Sequence, residues 1–106
     1  MNIFASVNAG PEKKCEDSAF TNRLILSNGC SEHSFSELMC VGVADGVGGN
    51  SGGRLASRYV AQQICQTDFQ SMTQQDIYAF VTDTNAELIA HAASIPDKSE
   101  MATTLT

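Results

Sequence analysis

A chain that passes from a continuous apolar run into a glycine-rich turn and then a helical pattern has few ways to fold. Residues Val41–Cys65 do this: VGVADGVGGNSGGRLASRYVAQQIC. The run Leu38–Ala44 has the unbroken apolar character of a buried strand. After Ala44 come Asp45, Gly46, Gly48, Gly49, Asn50 and Ser51, residue types of turns rather than of regular elements. From about Gly53 to Gln66, Leu55, Tyr59, Val60 and Ile64 mark one side of a helix. The segment therefore reads as strand, tight turn and helix, with one carboxylate at the strand's C-terminal end.

The flanking sequence adds further elements. Ile3, Phe4 and Val7 predict a short strand that ends at the turn Asn8-Ala9-Gly10-Pro11. Ser18–Thr21 and Arg23–Leu26 read as a second strand bent at Asn22. Asn28-Gly29 is a turn pair, and Cys30–Glu37 is polar enough to read as loop. A second helix begins near Ser71 or Thr73, with Ser71 and Gln74 spaced as a capping box. Ile77, Phe80, Val81, Leu88, Ile89 and Ala92 form its apolar face. It stops before Ile95-Pro96, because the residue before a proline disfavours the helical region. The last four residues, TTLT, start like a strand. Strands, an antiparallel helix pair and a final strand make an α+β arrangement with helices packed on one face of a sheet.

Charge and cysteine usage exclude several function classes. A net charge of -6 argues against a general nucleic-acid binder, which needs a basic stripe. No apolar run approaches the length of a membrane span, and MNIFASVNAG lacks the basic start of a secretory signal. Cys15, Cys30, Cys40 and Cys65 form no C-x-x-C pair. They read as reduced thiols of a cytoplasmic protein, with Cys40 and Cys65 at packing positions. His33 reads as an exposed loop residue, and His91, Arg54 and Arg58 as solvated helix residues.

Three readings of the glycine-rich turn compete. Glycines permit the tight strand-to-helix turn on conformational grounds alone. Backbone N–H groups ahead of a helix can hold a phosphate, although the spacing fits neither a Walker loop nor G-x-G-x-x-G. In the third reading Asp45 is a rigidly held cation ligand, and the bare Gly46 lets its carbonyl approach a hard divalent ion. Glu16-Asp17, opening the strand in KKCEDSAF, would supply further carboxylates if that strand pairs near the Asp45 strand. Carboxylates gathered in this way repel one another unless cations neutralise them.

VGVADGVGGNSGGRLAS closely resembles the Asp-Gly-x-Gly-Gly motif of the metal-dependent serine/threonine protein phosphatases (the PPM, or type 2C, family), bacterial members especially. CEDSAF looks like that family's Glu-Asp motif. DTNAELI looks like its Ala-Asn-x-x-Ile helix segment, and EMATTLT like its Gly-Met-Gly-Thr-Thr-Leu strand start. The four occur in the family's order, and from about Ile3 to Thr106 they span nearly the whole chain. The resemblance implies a four-layer α-β-β-α sandwich, two antiparallel sheets flanked by helix pairs, around two Mn²⁺ or Mg²⁺ ions. It implies that Asp45 bridges both metals, that the Gly46 carbonyl ligates one, and that Glu16 and Asp17 serve the second metal or its waters. It also implies hydrolysis of phosphoserine and phosphothreonine in proteins by metal-activated water, with Asp45 and Asp17 as the catalytic carboxylates. Where the family commonly carries a phosphate-binding arginine this chain has Glu12, with Lys13 and Lys14 as the nearby cations. A lysine is a point charge without the bidentate fork of arginine.

Family domains are more than twice this length, and their later aspartates complete the metal shell. The expectation is therefore that residues 1–106 are the N-terminal portion of one phosphatase domain, inactive alone, with a phosphoprotein substrate and a serine/threonine kinase as partners. Self-association through the C-terminal strand belongs to the same expectation. The alternative is a short non-catalytic protein that binds a phosphoprotein, a kinase or a metal.

Overall fold

The computed structural model describes residues 1–11, 14–37 and 40–106. The chain folds as an α+β protein in the order β1 (Asn2–Val7), β2 (Ser18–Thr21), β3 (Ile25–Leu26), β4 (Gly29–Ser34), β5 (Val41–Ala44), β6 (Gly46–Val47), α1 (Gly52–Cys65), α2 (Gln74–Ser94), β7 (Ala102–Thr103). Every strand pairing among the described residues is antiparallel. The central sheet has the order β3-β2-β5. Residues 102–106 extend it along β5 and β6. Gly46 faces Thr103 and Val47 faces Ala102, and Val43 and Thr106 exchange backbone hydrogen bonds of 2.9 and 3.0 Å. TTLT thus continues the sheet, as its composition predicts.

Two strand expectations need correction. Ser18–Leu26 is not one bent strand but a hairpin, with Ala19 opposite Leu26. The Thr21 hydroxyl accepts hydrogen bonds from the backbone N–H groups of Arg23 and Leu24 at 3.1 and 3.0 Å and reverses the chain there. Residues 30–34, expected as loop, belong to β4, which pairs with β1 over the six positions from Gly29 to Ser34. Their polarity misled because this ribbon is largely exposed, so its side chains carry little apolar signal.

Apolar burial is concentrated where α1 lies on the central sheet. Phe20, Ala44, Ala56, Val60, Ala61, Ile64, Leu88, Ala92 and Met101 form one cluster. Ala56, Ala61 and Ser57 are fully buried, so small side chains bring the helix close to the strands. α2 packs on α1 through a narrow stripe spaced by four: Phe80 half-buried, then Thr84, Leu88 and Ala92. Tyr59 meets Glu87 and His91, whereas Phe69 meets Phe80, so the two helices run antiparallel. Ile77, Val81 and Ile89, expected on the buried face, are exposed because α2 has a neighbour on one side only. Its cap is Thr73 with Asp76, a reciprocal box two residues later than the Ser71–Gln74 expectation.

The strand expected over Leu38–Ala44 spans Val41–Ala44, and Leu38 and Met39 lie outside the described residues. It is not buried on both faces. Ala44 turns toward α1, while Val41 and Val43 stay more than half exposed. They border an apolar trough of about 550 Å³ between the central sheet and the β1–β4 ribbon, lined also by Ile3, Phe4, Ile25 and Phe35. Among the described residues, no helix is long and apolar enough to cross a membrane. All four cysteines are free thiols. Cys40 packs against the core, and Cys65 Sγ donates to the Thr21 carbonyl at 2.9 Å.

Candidate metal centre

Antiparallel register decides which acidic residues meet. β2 and β5 pair with Ser18 opposite Ala44 and Thr21 opposite Val41. Asp17 enters this ladder one residue before Ser18, and Asp45 leaves it one residue after Ala44. The next step of the register therefore sets the two aspartates against each other at the same end of the sheet. The two carboxylates are close enough to interact electrostatically, with the Gly46 backbone beside Asp17. They open into a hollow of about 290 Å³ that Asn8, Lys14, Glu16 and Gly46 also line. The larger apolar trough contains neither aspartate.

Electrostatics mark this as an unneutralised pair. The Asp17 carboxyl is pushed above its ordinary value, first by partial desolvation and then by the charge and hydrogen bond of Asp45. The Gly46 N–H pulls the other way, and the Glu16 charge adds a smaller upward push.

Three devices hold the pair in place. The Asp45 backbone is clamped by β7 and its continuation. Its carbonyl accepts from Thr104 N–H at 2.9 Å and Thr103 Oγ1 at 3.0 Å, and its N–H donates to Thr104 Oγ1 at 3.2 Å. Second, β6 crosses the start of α1 at Gly46 and Gly53. A Cβ on Gly53 would lie 2.5 Å from the Gly46 carbonyl carbon and 2.6 Å from Val47 N. A side chain at either position would strike backbone, which is why both are glycine. Third, the Ser57 hydroxyl donates to the Glu16 carbonyl at 2.6 Å. Between the glycines the chain takes left-handed backbone at Asn50 and Ser51, so the turn reaches α1 without a side-chain cap.

The structure therefore brings Asp17, Asp45, Glu16 and Lys14 to one hollow. Lys13, with Glu12, lies outside the described residues. For Gly46, the group on the Asp17 carboxylate is its N–H, while its carbonyl lies beside Gly53. Among the described residues no three His, Cys, Asp or Glu side chains are grouped to hold a metal. Sequence reasoning did not find Asn8, Thr103, Thr104 or Ser57. Asn8 carried only a turn signal, Thr103 and Thr104 were read only as part of a strand start, and all three hydroxyls act on backbone groups.

Comparison with protein-family models, curated proteins and solved structures gives no match. The functional reading thus rests on the residues themselves. Their chemistry fits a hard divalent cation. Asp17 and Asp45 line one hollow with Glu16 at its margin, and they offer oxygen donors and negative charge that a cation would relieve.

Proposed function

We propose that the chain supplies the first half of the metal site of a cytoplasmic PPM-type phosphatase acting on phosphoserine and phosphothreonine in proteins. The observation that carries this reading is the Ser18–Ala44 register, because it joins the Asp-Gly and Glu-Asp motifs at one sheet end. Asp45 and Asp17 would hold Mn²⁺ or Mg²⁺, with Glu16 at the margin. A metal bound there supplies charge stabilisation at phosphorus and lowers the pKa of its water. The protein's own part is to fix Asp45 through the Thr103–Thr104 clamp and to set Asp17 against it. Lys14, which also lines the hollow, would supply a positive charge for a phosphate. Two carboxylates and a marginal third are too few for two cations, so the 106-residue chain by itself is expected to bind metal weakly and not to turn over.

Titration with Mn²⁺ followed by electron paramagnetic resonance of the free ion tests the reading. Saturable binding in the wild type and its loss in Asp45→Asn support it. Binding that survives Asp45→Asn places the cation elsewhere and sinks it. A second reading is a non-catalytic phosphatase-like module that binds a phosphoprotein, a kinase or a metal. Addition of downstream sequence carrying further aspartates separates the two. Mn²⁺-dependent hydrolysis of a phosphothreonine peptide then appears under the first reading and not under the second.

A further inference from the structure

The β2–β5 ladder ends at Ser18 and Ala44, so Glu16 and Asp17 lie beyond the sheet's own hydrogen bonds. Something else must hold them. Ser57, on the buried face of α1, has no exposed surface. Its hydroxyl lies 2.6 Å from the Glu16 carbonyl and 3.3 Å from the Arg54 carbonyl. A hydroxyl has one proton to give, and the shorter contact takes it. Ser57 then accepts from Ser18 at 3.3 Å, which leaves Ser18 to accept from Ser27 at 3.2 Å. The result is a one-way chain of donors, Ser27 to Ser18 to Ser57, that terminates on Glu16. On its other side the Glu16 carbonyl lies where a Gly46 side chain would be, 2.6 Å from the position of a Cβ. The carbonyl is thus wedged between the Ser57 hydroxyl and the bare Cα of Gly46.

We propose that Ser57 is a positioning residue of the metal centre: through the Glu16 carbonyl it holds the Glu16–Asp17 segment on α1 so that Asp17 stands against Asp45. The proposal rests on the phosphatase reading for its consequence, metal affinity, and on geometry alone for its cause. Ser57 touches neither carboxylate. It sets the path of the backbone that carries one of them, as outer partners of metal ligands do, and loss of such partners weakens metal affinity by about 10–100-fold.

The test compares Ser57→Ala with Ser27→Ala, which cuts the far end of the same hydroxyl chain without touching Glu16. Two quantities are read on the full chain: the Mn²⁺ dissociation constant, and, in EDTA, the nuclear Overhauser contact between the Asp17 and Asp45 side chains. Ser57→Ala is expected to weaken Mn²⁺ binding by about tenfold and to lose the Asp17–Asp45 contact, whereas Ser27→Ala keeps both. An Asp17–Asp45 contact retained at full strength in Ser57→Ala overturns the proposal, as does unchanged Mn²⁺ affinity in that variant. Equal losses in Ser27→Ala also overturn it, because the effect is then one of general stability. A wild type that binds no Mn²⁺ refutes the phosphatase reading alone, and the metal-free contact still decides the role of Ser57. Should Ser57→Ala fail to fold, Ser57→Cys carries the same comparison, filling the space with a weak donor.

Discussion

Gly53→Ala sets two effects of opposite sign against each other. Gly53 is a helical residue of α1, and alanine there gains helix propensity worth at most about 1 kcal/mol. Its methyl would lie 2.5 Å from the Gly46 carbonyl carbon, 2.6 Å from Val47 N and 2.7 Å from the Gly46 oxygen. All three are backbone atoms, so no rotamer change relieves the clash, and the cost falls at the upper end of the overpacking range, about 3 kcal/mol. The net effect is a destabilisation of about 2 kcal/mol, which for a domain of this size lowers Tm by about 8–16 °C. Gly49→Ala is the control, since a Cβ there meets nothing within 4 Å. Thermal unfolding followed by circular dichroism at 222 nm reads both variants. A Gly53→Ala Tm at or above wild type would refute the close crossing of β6 over α1, and with it the account of how Gly46 and Asp45 are held. Because that crossing also seats Gly46 against Asp17, the same variant is expected to lose Mn²⁺ binding.

Asp17→Asn is expected to stabilise the metal-free chain at neutral pH while removing its metal affinity. The folded state holds the Asp17 proton more tightly than the unfolded chain, whose carboxyl titrates near 3.8. Stability from this group is therefore fully present below that value and is lost as pH rises through the higher folded one. At this solvent-screened position the penalty at pH 7 is about 0.2–1 kcal/mol. Melting curves should show Asp17→Asn above wild type at pH 7 and level with it at pH 3, and a gain of the same size at both pH values would contradict the cause assigned here. Thr73→Ala removes the side-chain half of the α2 capping box and leaves the backbone N–H of residue 73 on Asp76, whose carboxyl is held below its ordinary value by the Thr73 side chain and backbone. A loss of about 1 kcal/mol is expected, read by urea denaturation. A midpoint unchanged from wild type would show that the Thr73 hydroxyl contributes nothing to the cap.

What could be read from the sequence followed the strength of its patterns. The two helices were legible from apolar spacing and breakers, although their buried faces were not. α2 presents a stripe of Phe80, Thr84, Leu88 and Ala92 rather than the broader face that Ile77, Val81 and Ile89 suggested, because how much of a helix is covered depends on its neighbours. β4 was illegible because an exposed two-stranded ribbon places little demand on side-chain type. β3 was hidden because two residues carry no period, and the Thr21 hydroxyl that turns the chain there looks like any strand threonine. At the site, Asp45 and the Glu16–Asp17 pair stood out as carboxylates at strand ends. Their meeting depended on a strand register that the sequence left open. Ser57 gave no signal at all. Between Ala56 and Arg58 it reads as a small helix-face residue, and its role exists only because Glu16 arrives from 41 positions away.

The clamp on Asp45 also orders events in time. Thr103 and Thr104 reach Asp45 across 58 and 59 residues of chain, whereas α1 and α2 close their hydrogen bonds locally. Contacts of such separation must overcome loop-closure entropy before they reward it, and so form slowly relative to helices. In refolding, the helical signal should return first and the Asp45 environment last. A chain emerging from synthesis would present both helices while its carboxylate pair was still unheld. The acidic end of the sheet is thus the last part of the molecule to become specific, and it waits on the arrival of two threonines.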